Sequence, residues 1–317
     1  MALTERQETF EPADRRGVNF ASSEPLPTLG SSRIRILFAF EKPTFPSVSL
    51  RRAFALAQQL DSDLCLLRVV PPSGVVGSSD TNRSTQDVNA TRRWVDETLG
   101  ETFSGQRLQV RTGAFVEETA AHALQLGVDL IAMPPGQRGF GTTVTTLAEV
   151  SRLPVFVARA SRSHGAIIAA TDLEDAEYPV LRKAAELAVQ LDAPVVAVHN
   201  LSHIDLMTGP GAAWTMTVTP NPELREVYRQ KLVRVSKRLH AHAATVVASE
   251  DSPVDAILRE ARLRNADLVV VGTHRSWFAR VIGASVAAQV VNQAWRSVLV
   301  TPLEASPWPM TAPPERA

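Results

Sequence analysis

Small and polar residues follow three apolar runs in the second half of this 317-residue chain. Thr171-Asp172 follows IIAA, His199-Asn200 follows VVAV, and Gly272-Thr273-His274-Arg275 follows LVVV. Farther along, Gly283-Ala284-Ser285 precedes the apolar pattern of a helix. Backbone N–H groups at a helix start, together with the helix dipole, favour an anion such as phosphate. The Ser285 hydroxyl would either add a hydrogen bond to that anion or cap the helix.

A repeated pattern of strands and helices must position these residues. The run from Ile36 to Phe40, with a helix ending near Asp61, recurs from Ile167 with a helix ending near Asp192, at an offset of 131. Later runs recur at offsets of 138 and 143, so the second copy has gained residues in two places. The apolar runs do not alternate with polar residues, which is typical of parallel strands covered by helices on both faces.

Each copy therefore predicts an α/β domain with a five-stranded parallel sheet. We expect the domains at 33–160 and 163–303, between disordered tails at 1–32 and 304–317. The predicted strands lie near 34–40, 64–70, 107–111, 129–133 and 154–158, and near 166–171, 194–200, 244–248, 267–271 and 297–301. The predicted helices lie near 47–60, 85–103, 116–126 and 143–151, and near 176–191, 222–242, 253–264 and 284–294.

The first copy differs from the second at the same strand ends. Glu41 stands where the second copy has Asp172, and the loop after the fourth strand begins with Pro134 and Pro135. Prolines lack the backbone N–H that a phosphate would need. Glycines still recur in this loop, at 136, 139 and 141. We interpret the first copy as a degenerate site and as a structural partner for the second.

The segments IIAATDLED and DLVVVGTHRSWFARVIGASVAAQVV resemble a universal stress protein domain. The resemblance covers nearly all of 33–303, and the second copy is the closer match. It implies a Rossmann-like fold, also described as adenine nucleotide α-hydrolase-like. The nucleotide-binding branch of that family carries Gly-x2-Gly-x9-Gly-Ser/Thr after the fourth strand and an Asp that ends the first strand.

By this resemblance, Asp172 contacts the adenine or ribose part of ATP, Gly272 is the first motif glycine and Ser285 is the terminal serine. The sequence departs from the motif in three ways. Arg275 replaces the second glycine, and the spacing from Gly272 to Ser285 is one residue short. Ala284 replaces the glycine before the serine, unless Gly283 serves in a shifted register. Arg275 could supply a charge-assisted phosphate contact in place of that glycine. The candidate binding residues are Thr171, Asp172, His199, Gly272, His274, Arg275, Gly283, Ser285 and Val286.

The sequence leaves three functions open. The first is a stress-response regulator that binds ATP or another adenine nucleotide in its second domain. The second is a nucleotide-free interaction scaffold in which both sites have decayed, and the third is a metal-binding stress module that uses His199 and His274. The G-x-S-x-G, P-loop and G-x-G-x-x-G patterns of enzymes are missing from the expected places. At most we expect slow ATP hydrolysis, with Asp172 or Asp175 helping to place Mg²⁺.

The composition of the chain limits the kinds of partner and the cellular compartment that we expect. Lys plus Arg number 33 and Asp plus Glu number 33, so no net charge attracts nucleic acid or an anionic membrane. No run of about 18 apolar residues predicts a membrane span, and the polar N-terminus lacks the apolar core of a secretion signal. One cysteine, Cys65, fits a reducing compartment. We expect a cytoplasmic protein with an adenine nucleotide and an unidentified protein as partners.

The resemblance also implies how the two domains meet. The last strands of two such domains commonly pair, so strands 154–158 and 297–301 should pair within the chain and form an intramolecular pseudo-dimer. Whether whole chains associate into a homo-oligomer is left open.

Overall fold

The computed structural model divides the chain into two units, Met1–Ser31 and Ser32–Ala317. The structure describes residues 33–42, 47–72, 80–100, 108–136, 139–160, 165–173, 177–201, 204–207, 215–218, 222–239, 243–248, 252–273 and 285–302. All of these residues belong to the second unit. The tails predicted at 1–32 and 304–317 lie outside the described residues.

The first half alternates strands with helices in the predicted order. Its elements are β1 (Arg35–Phe40), α1 (Ser47–Gln59), β2 (Asp63–Val70), α2 (Asp80–Leu99), β3 (Leu108–Thr112), α3 (Phe115–Leu126), β4 (Leu130–Met133), α4 (Phe140–Ser151) and β5 (Val155–Val157). Local sequence explains the ends of α3. Glu117 and Glu118 lie in its first turn, where the helix dipole favours acids, and Gly127 ends it in the left-handed region at φ 59°.

The second half repeats this order and adds two strands. Its elements are β6 (Ile167–Ala170), α5 (Pro179–Leu191), β7 (Val195–Asn200), β8 (Ile204–Met207), β9 (Thr215–Val218), α6 (Pro222–Arg238), β10 (Ala244–Ala248), α7 (Pro253–Leu263), β11 (Leu268–Gly272), α8 (Val286–Gln293) and β12 (Ser297–Thr301). Within the described ranges, no helix has the length and apolarity needed to cross a membrane.

Ten strands form one sheet in the order β10-β7-β6-β11-β12-β5-β4-β1-β2-β3. Neighbouring strands are parallel within each half. The halves join through the antiparallel pair β12 and β5, in which Val298 pairs with Val157 and Val300 with Val155. This arrangement confirms the predicted fold class and the predicted meeting of the two last strands within the chain.

Helices cover both faces of the sheet. Along β1, Ile36, Phe38 and Phe40 belong to the cluster beneath α1, α2, α5 and α6, whereas Leu37 and Ala39 belong to the cluster beneath α3, α4, α7 and α8. Burial on both faces is the physical reason why the strands read as unbroken apolar runs.

Close packing and partly buried hydrogen bonds join the halves beside the β5 and β12 pair. A Cβ added at Gly141 in α4 would lie 2.7 Å from the carbonyl carbon of Ala288 in α8, and the Gly141 amide donates to Asn292 Oδ1 at 2.8 Å. Arg159, beyond β5, donates from Nη2 to the Val291 carbonyl at 2.6 Å. Burial lowers the pKa of the Arg159 guanidinium to about 10. These contacts place α8, which follows the candidate phosphate loop, directly against the first half.

The added strands β8 and β9 pair antiparallel with each other in a separate two-stranded sheet. The sequence indicated extra residues in the second copy, but no strand was predicted there. This hairpin is the main difference between the predicted and observed elements.

Candidate functional site

Three candidate residues of the second half, Thr171, Asp172 and Gly272, lie where the strand order reverses. The chain runs from β6 outward to β7 and β10, and then returns to place β11 on the other side of β6. Ala169 of β6 pairs with Val270 of β11, and Thr171 and Gly272 each follow two residues later, at the carboxyl ends of these neighbouring strands. Open α/β sheets bind their ligands at this reversal point, outside the carboxyl ends of the strands. The structure therefore brings Thr171, Asp172 and Gly272 together at the expected position.

Asp172 sits in a tight turn after β6. The Leu173 amide donates to Thr171 Oγ1 at 3.0 Å. Leu173 has a φ of 63°, in the left-handed region that residues with a Cβ rarely occupy, and its side chain is only 1% exposed. Burial of the leucine side chain therefore stabilises an otherwise unfavourable backbone conformation, and this conformation fixes the position of Asp172 in the turn.

His199 ties this turn to the neighbouring strand. Its Nδ1 lies 2.9 Å from the Thr171 carbonyl, and since a carbonyl only accepts, Nδ1 carries the proton. The ring is buried and stacks on Tyr228 of α6, with centroids 4.8 Å apart and planes 18° apart. In this structure His199 is thus a support for the strand end.

Lys231 lies on α6, one of the helices that cover the sheet, and its side chain contacts the same turn. Its Nζ donates to the Leu173 carbonyl at 2.8 Å. The candidate residues chosen from sequence include neither Tyr228 nor Lys231. The amphipathic pattern of α6 indicates which residues face the sheet, but it does not show which strand end they contact.

Gly272 ends β11 where there is little room for a side chain. A Cβ at this position would lie 3.1 Å from Cγ2 of Val180 in α5, which is a tight contact. The next residue, Thr273, is buried and donates its amide to the Thr301 carbonyl at 3.0 Å. The glycine therefore leaves the space between the end of β11 and the start of α5 free of a side chain at the reversal point.

Ser285 is the N-cap of α8, and its Oγ accepts from the Ala288 amide at 3.1 Å. Of the two roles open to this hydroxyl, the structure shows the cap. Val286 is the first residue of the helix. Because the first N–H groups of a helix have no intrahelical acceptor, the amides of Val286 and Ala287 are donors for an anion at this end.

The remaining candidates, His274, Arg275 and Gly283, lie outside the described residues. Their part in a phosphate loop stays a prediction.

In the first half an aromatic cluster occupies the same strand end. Phe40 aligns with Thr171 at the repeat offset of the first strands, is 1% exposed, and packs its ring 5.2 Å from that of Trp94. Buried Val95 of α2 and buried Leu232 of α6 match at an offset of 137, so Trp94 stands where the second half has Lys231. The position that is polar in the second half is hydrophobic core in the first.

Arg68 replaces His199 in the first half, at the same offset as Phe40 and Thr171. It is 9% exposed, and it donates to Thr91 Oγ1 at 2.9 Å and to the Glu41 carbonyl at 3.3 Å. The guanidinium and the aromatic rings together fill the carboxyl end of β1 and β2.

The glycines of the first-half loop have packing roles. The Phe140 ring lies over Gly136, with its Cγ 2.6 Å from where a Cβ would be. Gly141 allows α4 to approach α8, as described above. Their spacing in the sequence therefore reflects close packing at these two positions.

Ligands for a metal ion do not cluster in the described part of the chain, where no three His, Cys, Asp or Glu side chains are grouped. Nδ1 of His199 is already engaged by the Thr171 carbonyl. The metal hypothesis therefore depends on His274, outside the described residues.

The sequence model of the Universal stress protein family matches residues 164–302. Residues 164–302 form a universal stress protein domain. This domain runs from just before β6 to the end of β12, so it contains every candidate binding residue. The recognition made from the sequence motifs is confirmed. No match was found among curated proteins.

Solved structures extend the likeness to the first half. A universal stress protein from Archaeoglobus fulgidus is 14% identical, with a TM-score of 0.57 over 84% of this chain and 96% of that chain. A protein of unknown function from Pseudomonas aeruginosa is 17% identical, with a TM-score of 0.56 over 86% of this chain and 94% of that chain. Another Archaeoglobus fulgidus universal stress protein, solved with dAMP, is 26% identical over 44% of this chain and 98% of that chain, with a TM-score of 0.31. The first two show that the fold of both halves together recurs in other proteins.

Proposed function

We propose that the universal stress protein domain binds ATP at the reversal point between β6 and β11 and reports nucleotide supply during stress. The observation that carries this proposal is the contrast at one position of the fold. In the second half the strand ends carry Thr171, Asp172 and Gly272, whereas in the first half Phe40, Trp94 and Arg68 fill the equivalent place. The choice of adenine as the base rests on the family resemblance.

The residues present fit the chemistry of a nucleotide. Asp172 is a hydrogen-bond acceptor for ribose hydroxyls or the adenine amine, and His199 and Lys231 hold its turn. The amides of Val286 and Ala287 at the start of α8 are donors for phosphate oxygens. Arg275 would add charge-assisted bonds to the phosphates, and Mg²⁺ would neutralise part of their charge.

The first half acts as the structural partner in this proposal. It packs α4 against α8 and so fixes the helix whose start receives the phosphates. Bound nucleotide would favour one arrangement of the segment 273–284, and an unidentified protein partner in the cytoplasm would recognise that arrangement. This is a population shift driven by a ligand that prefers one loop state.

Two measurements test the proposal: mass spectrometry of small molecules released from freshly purified protein, and calorimetric titration with ATP, with and without Mg²⁺. Asp172→Ala should abolish binding. Glu41→Ala, at the equivalent position of the first half, is the matched control and should bind like the wild type. Wild-type protein that releases no nucleotide and gives no heat would contradict the proposal and favour the nucleotide-free scaffold.

A further inference from the structure

We propose that Lys231 is a positioning residue for the nucleotide site and that it acts with His199 as a two-point clamp on the turn that carries Asp172. This inference rests on the proposed function, because it assigns to that site a residue outside the motif. The clamp is defined by two hydrogen bonds, from His199 Nδ1 to the Thr171 carbonyl at 2.9 Å and from Lys231 Nζ to the Leu173 carbonyl at 2.8 Å.

The first bond holds the peptide group between Thr171 and Asp172, and the second holds the peptide group that follows Leu173, so the two bonds enclose Asp172 and Leu173. A turn with Leu173 at φ 63° is intrinsically unfavourable, so it persists only where surrounding contacts outweigh that strain. The Leu173 side chain supplies burial, and Lys231 supplies a charged donor to the carbonyl of the same residue. Without the ammonium group, this turn gains access to other backbone conformations, and Asp172 is no longer fixed.

The position of Lys231 in the fold separates it from the phosphate contacts. Lys231 lies on α6, which packs over β7 and β10, on the side of β6 away from β11. The proposed phosphate donors lie at the start of α8, which follows β11 on the other side. Lys231 therefore acts at the end where Asp172 would contact the base or ribose, and its effect should not depend on the number of phosphates.

Adenosine, AMP and ATP provide a ligand series that tests this point by calorimetry. Lys231→Met removes the ammonium and keeps the length of the side chain. It should weaken binding by about tenfold, the usual order for one charged hydrogen bond, and by the same factor for all three ligands. Lys231→Arg, which can still donate to the carbonyl, should recover most of the affinity. Lys237→Met, at an exposed position of the same helix, is the control and should match the wild type.

Hydrogen exchange of the 170–175 peptide gives a readout that needs no nucleotide. Exchange should be several-fold faster in Lys231→Met than in the wild type and in Lys237→Met. Unchanged exchange and unchanged affinity in Lys231→Met would overturn the clamp. A loss of affinity that grows from adenosine to ATP would also overturn it, because it would make Lys231 a direct phosphate ligand. Wild-type protein that binds none of the three compounds would overturn the proposed function itself, while the exchange rates still decide whether Lys231 holds the turn.

Discussion

The two halves of this protein share one topology but treat the carboxyl end of their first strand in opposite ways. In the first half, Phe40 and Trp94 continue the hydrophobic core to the strand end, and buried Arg68 closes the space beside them. In the second half, Thr171 and Lys231 occupy the positions of those two aromatic residues. The backbone thus provides the same strand end twice, and a few side chains decide whether that end is polar or part of the hydrophobic core.

The difference also indicates how much each of the two strand ends contributes to the stability of the fold. An aromatic pair at a strand end adds buried area and ring contacts. A polar turn with a residue in the left-handed region adds little stability and depends on its supports. We therefore expect substitutions at equivalent positions of the two halves to have unequal effects.

The largest difference should appear between Phe40→Ala and Thr171→Ala. Removing the fully buried Phe40 ring should lower the free energy of unfolding by about 3–5 kcal/mol, because it leaves a cavity beside Trp94. Removing the Thr171 hydroxyl deletes one hydrogen bond to the Leu173 amide and should lower it by about 1 kcal/mol. Urea unfolding of both variants measures the two values. Equal losses would show that the two strand ends are not as different as their side chains indicate.

Sequence alone was sufficient for the fold class, and it indicated the sheet edge that the structure shows to carry the polar candidate residues. The unbroken apolar runs, repeated at offsets of 131, 138 and 143, predicted the ten strands of the large sheet to within a few residues. The polar residues after β6, β7 and β11 were expected at one edge of the sheet, because the carboxyl ends of parallel strands meet there, and the strand order agrees with this expectation.

The supports of the site could not be predicted in the same way. Tyr228 and Lys231 belong to a helix whose period shows only which face is turned inward, and their partners depend on the angle at which α6 crosses the sheet. The β8 and β9 hairpin lies in an insertion without a counterpart in the first half, so the repeat could not reveal it. The sequence analysis did not single out Arg68, and only the structure shows its buried partner Thr91.

A buried histidine gives the first half a pH dependence. His122 of α3 is 1% exposed, and burial, together with the charge of Arg111 on β3, lowers its pKa from 6.5 to about 4, although a side-chain hydrogen bond with Gln125 acts in the opposite direction. The unfolded chain takes up this proton near pH 6.5, whereas the folded chain does so only near pH 4. Stability should therefore be highest above pH 6.5 and fall as the pH drops towards 4, by roughly 3 kcal/mol from this group.

The variant His122→Gln isolates this contribution, since it keeps a polar side chain that does not titrate. The gap in unfolding free energy between the wild type and the variant should change steadily between pH 6.5 and pH 4. The second half has a different residue at the equivalent position, which is given by the repeat offset of the fourth strands. That residue is Glu260, and it forms ion pairs with Arg259 at 3.4 Å and with Arg264 at 3.8 Å. A gap that stays constant over this pH range would mean that His122 titrates normally in the folded protein.

The contact between the halves can be tested at Gly141. A methyl group there would collide with the backbone of Ala288, so Gly141→Ala should push α4 away from α8 and lower the free energy of unfolding by about 1–3 kcal/mol. The exposed residue Thr146 of the same helix offers a control, and Thr146→Ala should leave stability nearly unchanged. Thermal unfolding compares the two variants. Equal stability of both would show that the helices are farther apart than Gly141 indicates.

The smallest effect concerns the start of the two equivalent helices, α8 and α4. Ser285→Ala removes the side-chain acceptor of the Ala288 amide and should lower the free energy of unfolding by about 1 kcal/mol, as for other N-caps. Thr142 aligns with Ser285 at the repeat offset of the last strands, but it is the third residue of its helix and the N-cap there is Gly139, without a side-chain bond. Thr142→Ala should therefore leave stability nearly unchanged in the same urea experiment. If the two variants lost the same stability, the Ser285 cap would not distinguish the start of α8 from that of α4 in energy. The two helix starts would then differ only in sequence, and the argument for a specialised helix start in the second half would fail.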